Sequence, residues 1–257
     1  MIGPAPGTLY GLGVGPGDPD LMTLKARDLL RRVPVVAYLH AEGSPGVARA
    51  IAAPHLPGGQ EEIAMATPMV PGDAPAEAVY DQGAAAIAAR LAAGRDVAFL
   101  CEGDPLFFGS FMYLLDRLKD RFPVRVVPGV SSLAACSALA GLPLASRNEA
   151  LTILPAPLSE DELAARLASA DAAVVMKVGR HLPKVRRVLK RLGLMEGAWY
   201  AARAGMEGES VLPLAEAPAT APYFAMVLVR GRPKAPPAPK GAAVLYPTPG
   251  ARAMALR

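Results

Sequence analysis

Cysteine, histidine and aromatic residues are scarce in this sequence. The 257 residues include two cysteines, three histidines and one tryptophan, and aromatic residues make up 5% of the chain. Cys101 and Cys136 show no C-x-x-C spacing and lie in apolar surroundings, so we expect two buried thiols in a reducing compartment rather than a disulfide. The low aromatic content also argues against an RNA substrate, which would need stacking side chains. No metal site is expected.

An excess of charge of either sign is also missing. The chain has 27 Lys+Arg and 23 Asp+Glu, a net charge of +4, and the basic residues form no long run. This balance gives little support for a nucleic-acid or membrane partner, whereas an anionic small molecule stays possible. The N-terminus lacks the basic flank and apolar core of a signal peptide, so we expect a cytoplasmic protein.

One uncharged run, residues 126–146, is long enough on paper to cross a bilayer. Pro128-Gly129 and Gly141-Leu142-Pro143 interrupt it, however, and leave only residues 130–140 as a credible helix. Such a helix is roughly 16 Å long at 1.5 Å per residue, against a hydrocarbon core of about 30 Å. We therefore expect a buried helix here.

Alternating strands and helices predict an α/β protein with two lobes and a cleft between them. In the first lobe, residues 1–141, continuous apolar strands indicate a mostly parallel sheet. Its strands are expected at 8–14, 33–38, 96–101 and 124–127, and its helices at 21–31, 45–53, 74–93, 110–120 and 130–140.

The second lobe, residues 142–231, ends in strands without long helices between them, which predicts an antiparallel portion. Strands are expected at 151–154, 172–176, 198–201, 210–212 and 224–229, and helices at 159–168 and 180–191. Residues 232–257 are proline-rich and basic, as in an extended tail.

The first predicted strand runs into a glycine loop, Gly11-x-Gly13-x-Gly15-Pro16-Gly17-Asp18. A dinucleotide site is disfavoured, because Pro16 stands where a third glycine is needed and no acidic residue closes the second strand. The common single-domain methyltransferase fold is also weakened, because Tyr10 stands where an acidic residue usually precedes the loop. Taken alone, these glycines are equally compatible with a tight strand-to-helix turn.

Two further strands are followed by similar loops. Glu102-Gly103-Asp104-Pro105 follows a buried strand and extends to Gly109; alone it would be interpreted as a plain turn. Pro128-Gly129-Val130-Ser131-Ser132 joins a strand to a helix, where exposed N–H groups and hydroxyls can bind a carboxylate or a ribose hydroxyl. Helix capping by Ser131 explains the third loop equally well.

The three loops, in this order and each after a strand, resemble the tetrapyrrole (corrin/porphyrin) methylase family over residues 8–230. Residues 13–19 with Leu24-Lys25-Ala26, and 101–105 with 109–114, look like the branch that methylates C20 of precorrin-2. Pro68-Met69, residues 176–180 and Tyr223-Phe224 also match that branch. The tail beyond Arg232 departs from the pattern.

The resemblance implies the class III methyltransferase fold, a homodimer and S-adenosylmethionine bound between the lobes, with no metal. It implies a small-molecule tetrapyrrole substrate facing the first lobe, and no nucleic acid or membrane partner. The residues it places against the cofactor are Pro16, Glu102, Gly103, Asp104, Phe107, Ser131, Ser132, Met176, Lys177, Val178, Ala204, Gly205, Ala225 and Met226. For Met176, Ala225 and Met226, ordinary strand packing is the alternative.

The implied reaction converts precorrin-2 to precorrin-3A in cobalamin biosynthesis. Asp104 is a candidate proton acceptor, although stabilising its turn is the competing role. Because precorrin-2 carries eight carboxylates, His40, Arg147, Lys177 and Arg180 are candidate substrate-binding residues, or else solvated surface residues. The alternatives are cobalt-precorrin-2 or uroporphyrinogen III as the substrate, and a tetrapyrrole carrier without catalysis. The Cys101-to-Asp104 sequence looks more like the metal-free branch.

Overall fold

The computed structural model of the chain describes residues 5–67 and 74–230. The fold is mixed α/β, as expected, and forms two compact units that divide between Ser131 and Ser132. The sequence placed this division at 141/142. The helix Ser132–Ala140 belongs to the second unit because it packs against a strand of that unit. Pro68, Met69 and residues 232–257 lie outside the described residues.

The first unit contains a five-stranded sheet in the order β3-β2-β4-β1-β5. Every pair in it is parallel, as the continuous apolar strands predicted. Its strands are β1 (Leu9–Gly13), β2 (Val35–Ala41), β3 (Glu61–Thr67), β4 (Val97–Cys101) and β5 (Val124–Val127). Its helices are α1 (Leu24–Leu30), α2 (Val47–Ala52), α3 (Ala74–Ala92) and α4 (Phe111–Leu118).

The core of the first unit lies between this sheet and helices α3 and α4. Leu9 and Phe99 from the sheet pack with Ile87 of α3 and with Phe111 of α4, and all four are fully buried. A Cβ atom added to Gly11 would lie 2.6 Å from the Phe111 ring, so glycine leaves the room that the ring occupies. The packing thus anchors the strands whose ends carry the loops.

Strand β3 was not predicted from the sequence. The strand forms the edge of the sheet and is only partly buried, so its sequence lacks the continuous apolar character of the central strands. Its first two residues are charged and form ion pairs: Glu61 with Arg90 and Arg95, and Glu62 with Arg49. Charged side chains are typical of edge strands, and because of them a hydrophobicity pattern does not predict this strand.

The second unit contains a five-stranded sheet in the order β6-β7-β10-β8-β9. Strands β6 and β7 are parallel and the other pairs are antiparallel, which confirms the expected antiparallel portion. The strands are β6 (Leu151–Pro155), β7 (Ala172–Met176), β8 (Ala198–Ala202), β9 (Ser210–Pro213) and β10 (Ala225–Arg230). The helices are α5 (Ser132–Ala140), α6 (Glu160–Ala168) and α7 (Leu182–Arg191).

Helices α6 and α7 bury apolar side chains against this second sheet. Leu163 and Val185 are fully buried and belong to the same cluster as Val175 and Tyr200. Ser159 starts α6 with a reciprocal pair of hydrogen bonds to Glu162, which satisfies N–H groups at the helix start.

No helix among residues 5–67 and 74–230 is both long and apolar enough to cross a membrane. The uncharged run contains the end of β5 and the nine-residue helix α5. Cys101 and Cys136 are free and buried, as predicted. Burial raises the pKa of both thiols, that of Cys136 to about 12.

Candidate functional site

The loops after β1, β4 and β5 meet at the carboxyl ends of these strands in the first sheet. Strand β1 lies between β4 and β5, and parallel strands present their carboxyl ends on the same side. The backbone continues this pairing past the strand ends: Val14 N donates to Cys101 O at 2.9 Å, and Gly103 N donates to Gly15 O at 2.8 Å. The first two loops are therefore joined by main-chain hydrogen bonds.

Glycine is required where the three loops touch. A Cβ atom on Gly129 would lie 2.0 Å from the carbonyl oxygen of Gly103, and one on Gly13 would lie 2.6 Å from the nitrogen of Gly129. Real Cβ atoms do not approach backbone atoms so closely, and backbone in the centre of a junction cannot move aside. Gly13 and Gly129 thus do more than turn the chain, because each allows one loop to pack against another. Gly103 adopts a positive φ of 66°, which favours glycine.

Asp104 connects the second loop to the third. Its Oδ2 atom accepts a hydrogen bond from Gly129 N at 3.0 Å, and its Oδ1 atom accepts one from Leu106 N at 2.9 Å. Hydrogen bonds to an ionised carboxylate are the stronger kind. Since both oxygens already accept backbone hydrogen bonds, this geometry favours the role in stabilising the turn over the role of proton acceptor.

Glu102 connects the second loop to helix α2, a link that the sequence did not reveal. Its Oε1 atom accepts a hydrogen bond from Ala48 N at 3.1 Å, at the start of a helix whose cap residue, Gly46, has no side chain. Burial raises the pKa of Glu102, and hydrogen bonds from its own backbone and from Ala48 partly oppose that rise.

The charges in these loops have one sign. Residues 13–18, 102–109 and 128–132 contain the carboxylates Asp18, Glu102 and Asp104 and no lysine or arginine. A cation that bound here would meet close main-chain atoms and no positive side chain. This composition fits the sulfonium of S-adenosylmethionine better than it fits an anionic phosphate.

The other predicted cofactor residues between Pro16 and Ser132 lie in or beside these loops. Pro16 is buried, and Phe107 is part-buried with its ring centroid 5.1 Å from that of Phe108. Phe108 has a positive φ of 53°, an uncommon conformation for a bulky residue. Ser131 directly precedes α5 and Ser132 begins it, and both are part-buried.

The predicted cofactor residues of the second unit lie together at one end of its sheet. Strand β10 runs antiparallel to β7 and β8, so its beginning lies beside their ends. Ala225, its first residue, pairs with Ala202, the last residue of β8. This places the following residues at the same end: Met176, Lys177, Val178, Ala204, Gly205, Ala225 and Met226. Ala225 and Met226 are buried strand residues, so ordinary strand packing explains them locally as well, whereas Met176 is only part-buried.

Two cations at this end have left-handed backbone conformations. Lys177 follows β7 with a φ of 57°, and Arg203 follows β8 with a φ of 53°. The Arg203 N–H donates to Phe224 O at 2.8 Å, which fixes the turn beside Ala204. Non-glycine residues with positive φ are concentrated at functional sites. Arg203 was not predicted from the sequence, because its left-handed conformation leaves no mark in the local sequence pattern.

Comparison with known proteins decides the family. The model of the tetrapyrrole (corrin/porphyrin) methylases matches residues 8–218. The chain belongs to this family. The match confirms the resemblance seen in the three loops, and all three loops lie within the matched residues.

Individual relatives of this methylase agree with that assignment. It is 45% identical over 240 residues to a precorrin-2 C(20)-methyltransferase of Sinorhizobium sp, with 90% of this chain and 98% of the relative covered. It is 34% identical to a cobalt-precorrin-2 C(20)-methyltransferase of Salmonella typhimurium, with 87% and 96% covered. The uroporphyrin-III C-methyltransferase of Thermus thermophilus, solved with S-adenosyl homocysteine, superposes with a TM-score of 0.62 at 27% identity, covering 86% and 97% of the two chains.

The four basic residues predicted to bind the substrate of this methylase lie in different elements of the two units. His40 lies near the end of β2 in the first unit, with Nδ1 3.0 Å from Ala41 O. Lys177 and Arg180 are exposed and follow β7 in the second unit. Arg147 is exposed too, but it precedes β6, at the opposite end of the sheet from Lys177.

The position of Arg147 is fixed by the turn around it. Glu149 Oε2 accepts from Ser146 N, and Arg230, at the far end of β10, contacts Glu149 and donates to Pro143 O at 2.7 Å. Within the second unit, Arg147 and Lys177 are therefore separated by the length of the sheet, whereas Lys177 and Arg180 lie in one segment.

Proposed function

We propose that this methylase transfers the methyl group of S-adenosylmethionine to C20 of precorrin-2, which gives precorrin-3A in cobalamin biosynthesis. The observation that carries the proposal is the junction of Gly13, Gly103 and Gly129, where three loops of acidic or neutral composition pack main chain against main chain. The 45% identity to the Sinorhizobium enzyme supports the choice of substrate and position.

The cofactor-binding residues of this proposal are the ones that the family resemblance selects. In the first unit these are Pro16, Glu102, Gly103, Asp104, Phe107 and Ser131. In the second unit they are Ser132, Met176, Lys177, Val178, Ala204, Gly205, Ala225 and Met226. The cofactor supplies a methyl group on a sulfonium. The loops bind it through backbone atoms and carboxylates, and thereby hold it without a neighbouring cation in the first unit.

The protein's contribution to the rate is mainly positional. C20 is an electron-rich carbon that gains the methyl group and loses a proton, and S-adenosylhomocysteine is the second product. Holding two reactants at contact distance away from water can contribute about 7–11 kcal/mol. Asp104 acts here as a positioning residue, because its two oxygens hold the second and third loops together.

Lys177 and Arg180 are the cations we propose for substrate carboxylates on the second unit. Both are exposed, and arginine suits bidentate pairing with a carboxylate. Arg180→Ala is expected to raise the KM for the tetrapyrrole several-fold and to leave the Kd of S-adenosylmethionine unchanged. Arg147→Ala, at the other end of the sheet, provides the matched comparison. An equal rise of KM in both variants contradicts this assignment.

Product analysis tests the reaction itself. The protein is incubated with S-adenosylmethionine and, separately, with precorrin-2, cobalt-precorrin-2 or uroporphyrinogen III, and NMR locates the new methyl group. We expect methylation of C20, with precorrin-2 turned over faster than its cobalt complex. Methylation at another carbon overturns the proposed position and leaves the cofactor proposal intact.

A calorimetric titration with S-adenosylmethionine distinguishes the enzyme from a tetrapyrrole carrier, which would not bind the cofactor. The remaining features that we propose from the family resemblance are a homodimer and a cytoplasmic location. Sedimentation of the purified chain tests the first, and fractionation of the producing cell tests the second.

A further inference from the structure

The first unit contains a groove that the proposed reaction does not use. It has a volume of about 390 Å³ and lies between helix α1 and strands β1 and β5. Tyr10 of β1 and Arg125 of β5 are register partners on its floor. Tyr10 lies three residues before Gly13, in the part of the sheet that precedes the loops. The groove is therefore separate from the loop junction.

Cations surround the groove on two sides. Lys25, Leu29 and Arg32 line it from α1 and the turn that follows, with a spacing of four and three residues that places them on one helical face. Arg125 lines it from the sheet. Asp96 is the one carboxylate among the residues that line the groove, and its Oδ1 atom already accepts a hydrogen bond from Thr8 N at 2.7 Å.

These cations lack the ion pairs that neighbouring ones have. In the described part of the first unit, Arg27, Arg49, Arg90, Arg95, Arg117 and Lys119 each lie within 4.0 Å of a carboxylate. Lys25, Arg32 and Arg125 have no such partner among the described residues. Arg32 donates from Nε to Asp28 O at 3.0 Å, and its other guanidinium N–H groups are not engaged in that bond. With the Asp96 carboxylate included, the residues that line the groove thus keep a net positive charge.

The rest of the lining is apolar. Leu29, Val33, Val126 and Val127 contribute carbon surface, and Tyr10 adds a ring and a hydroxyl. A cavity of this size falls in the range of small-molecule sites, which combine an apolar lining with a few polar groups that orient the ligand. Guanidinium and ammonium groups bind carboxylates and phosphates in particular.

We propose that this groove binds a small organic anion with at least two carboxylate or phosphate charges on an apolar body. Lys25, Arg32 and Arg125 bind the charges, while Leu29 and the valines contact the body. The inference is independent of the methyl-transfer proposal, since the groove and the loops share no lining residue.

Calorimetry on the full chain at low salt tests the proposal, with pyrophosphate, citrate and benzene-1,3,5-tricarboxylate as probes. We expect saturable binding of at least one probe with a submillimolar Kd, and tighter binding of the benzene compound than of citrate. Pyrophosphate separates a phosphate site from a carboxylate site. Binding persists when S-adenosylhomocysteine is saturating.

Two variants and one control locate the binding. Arg125→Ala and Lys25→Ala are each expected to weaken binding at least tenfold with little change in Tm. Arg31→Ala is the control, because Arg31 also lacks a carboxylate partner among the described residues but does not line the groove. The proposal is overturned if no probe saturates, if Arg31→Ala weakens binding as much as Arg125→Ala, or if S-adenosylhomocysteine displaces the probe. Equal affinity for citrate and the benzene compound overturns the apolar part.

Discussion

The end of the first sheet that carries the three loops and the end of the second sheet that carries the predicted cofactor residues are built in different ways. In the first, Gly13, Gly103 and Gly129 bring three chain segments into main-chain contact, and Asp104 holds two of them. In the second, antiparallel strands bring the residues together, and Lys177 and Arg203 adopt conformations in which glycine would be easier. Backbone packing therefore determines which residue is present at the loop-bearing end of the first sheet. At the end of the second sheet that carries Lys177 and Arg203, it has little influence on the choice of residue.

The largest effect is expected at Gly129, where close backbone packing requires glycine. Gly129→Ala places a methyl group 2.0 Å from the Gly103 carbonyl oxygen. Overpacking of this kind costs about 1–3 kcal/mol of unfolding free energy, and we expect the Kd of S-adenosylmethionine to rise more than tenfold as the loops separate. Chemical denaturation and calorimetry measure the two quantities.

Gly43→Ala provides the control for this substitution. Gly43 also adopts a conformation that favours glycine, with a φ of 75°, but no atom lies within 4 Å of an added Cβ atom. Its cost should be about 1–2 kcal/mol, the strain of a left-handed alanine, with cofactor affinity unchanged. If Gly129→Ala reduced stability and cofactor affinity no more than Gly43→Ala, the loop-bearing end of the first sheet would not depend on close backbone packing.

Asp104→Asn removes the charge that holds the second and third loops together. An amide group can accept a hydrogen bond at one end only, so one of the two backbone N–H groups loses its acceptor, at a cost of about 1.5–3 kcal/mol. We expect a lower Tm and a higher Kd for the cofactor. Asp171→Asn is the control, because Asp171 accepts from one backbone group, Ala150 N, which asparagine can still satisfy.

The kinetics of Asp104→Asn separate the two roles of this residue. A positioning residue affects cofactor binding and stability, while kcat at saturating cofactor changes little. A hundredfold loss of kcat with an unchanged Tm would instead identify Asp104 as the proton acceptor.

The same contrast explains how much the sequence revealed. The three loops of the first unit could be recognised because glycines favoured by close packing or by a positive φ leave a visible pattern, such as Gly103-Asp104-Pro105, in which Gly103 has a φ of 66°. The edge strand β3 escaped because its glutamates form surface ion pairs, which a hydrophobicity pattern cannot distinguish from a solvated loop. The Glu102–Ala48 contact joins residues 54 positions apart, and such pairing becomes visible only in the folded chain.

In the second unit, the resemblance to the family selected residues that share one end of the sheet, but the local pattern did not. Met176 and Ala225 look like ordinary strand residues in the sequence, and Arg203 carries no sign of its left-handed backbone. The predicted substrate-binding residues show the reverse case. Arg147 was chosen by its place in the chain, and only the register of β6 with β7 shows that it lies far from Lys177.

A smaller effect with a distinctive pH dependence tests the link between the second loop and α2. Burial raises the pKa of Glu102, so ionised Glu102 reduces stability as the pH rises through that raised value. Glutamine keeps an acceptor for Ala48 N without the charge. We expect Glu102→Gln to raise the Tm at pH 7, because the substitution removes a carboxylate charge that burial disfavours. The gain should vanish below about pH 4, near the ordinary pKa of glutamate.

Glu62→Gln should behave in the opposite way. The Arg49 guanidinium holds the pKa of Glu62 below its usual value, so the stability that Glu62 provides is present above that usual value and is lost as the pH falls through the lowered one. The variant should melt lower than the native chain at pH 7 and converge with it in acid. Thermal melts of both variants between pH 3 and pH 8 check the signs; parallel curves would show that neither carboxylate is coupled to folding as described.

The smallest effect concerns the left-handed residues of the second unit. A left-handed conformation costs a non-glycine residue about 1–2 kcal/mol, so Lys177→Gly should be about 1 kcal/mol more stable than Lys177→Ala. At Lys190, in helix α7, the order should reverse, because glycine in a helix is about 1 kcal/mol less favourable than alanine. Denaturation of the four variants measures both differences. The same order at the two positions would mean that Lys177, at the end of β7, has no backbone strain. The difference between the two sheets would then depend only on the glycine junction of the first sheet.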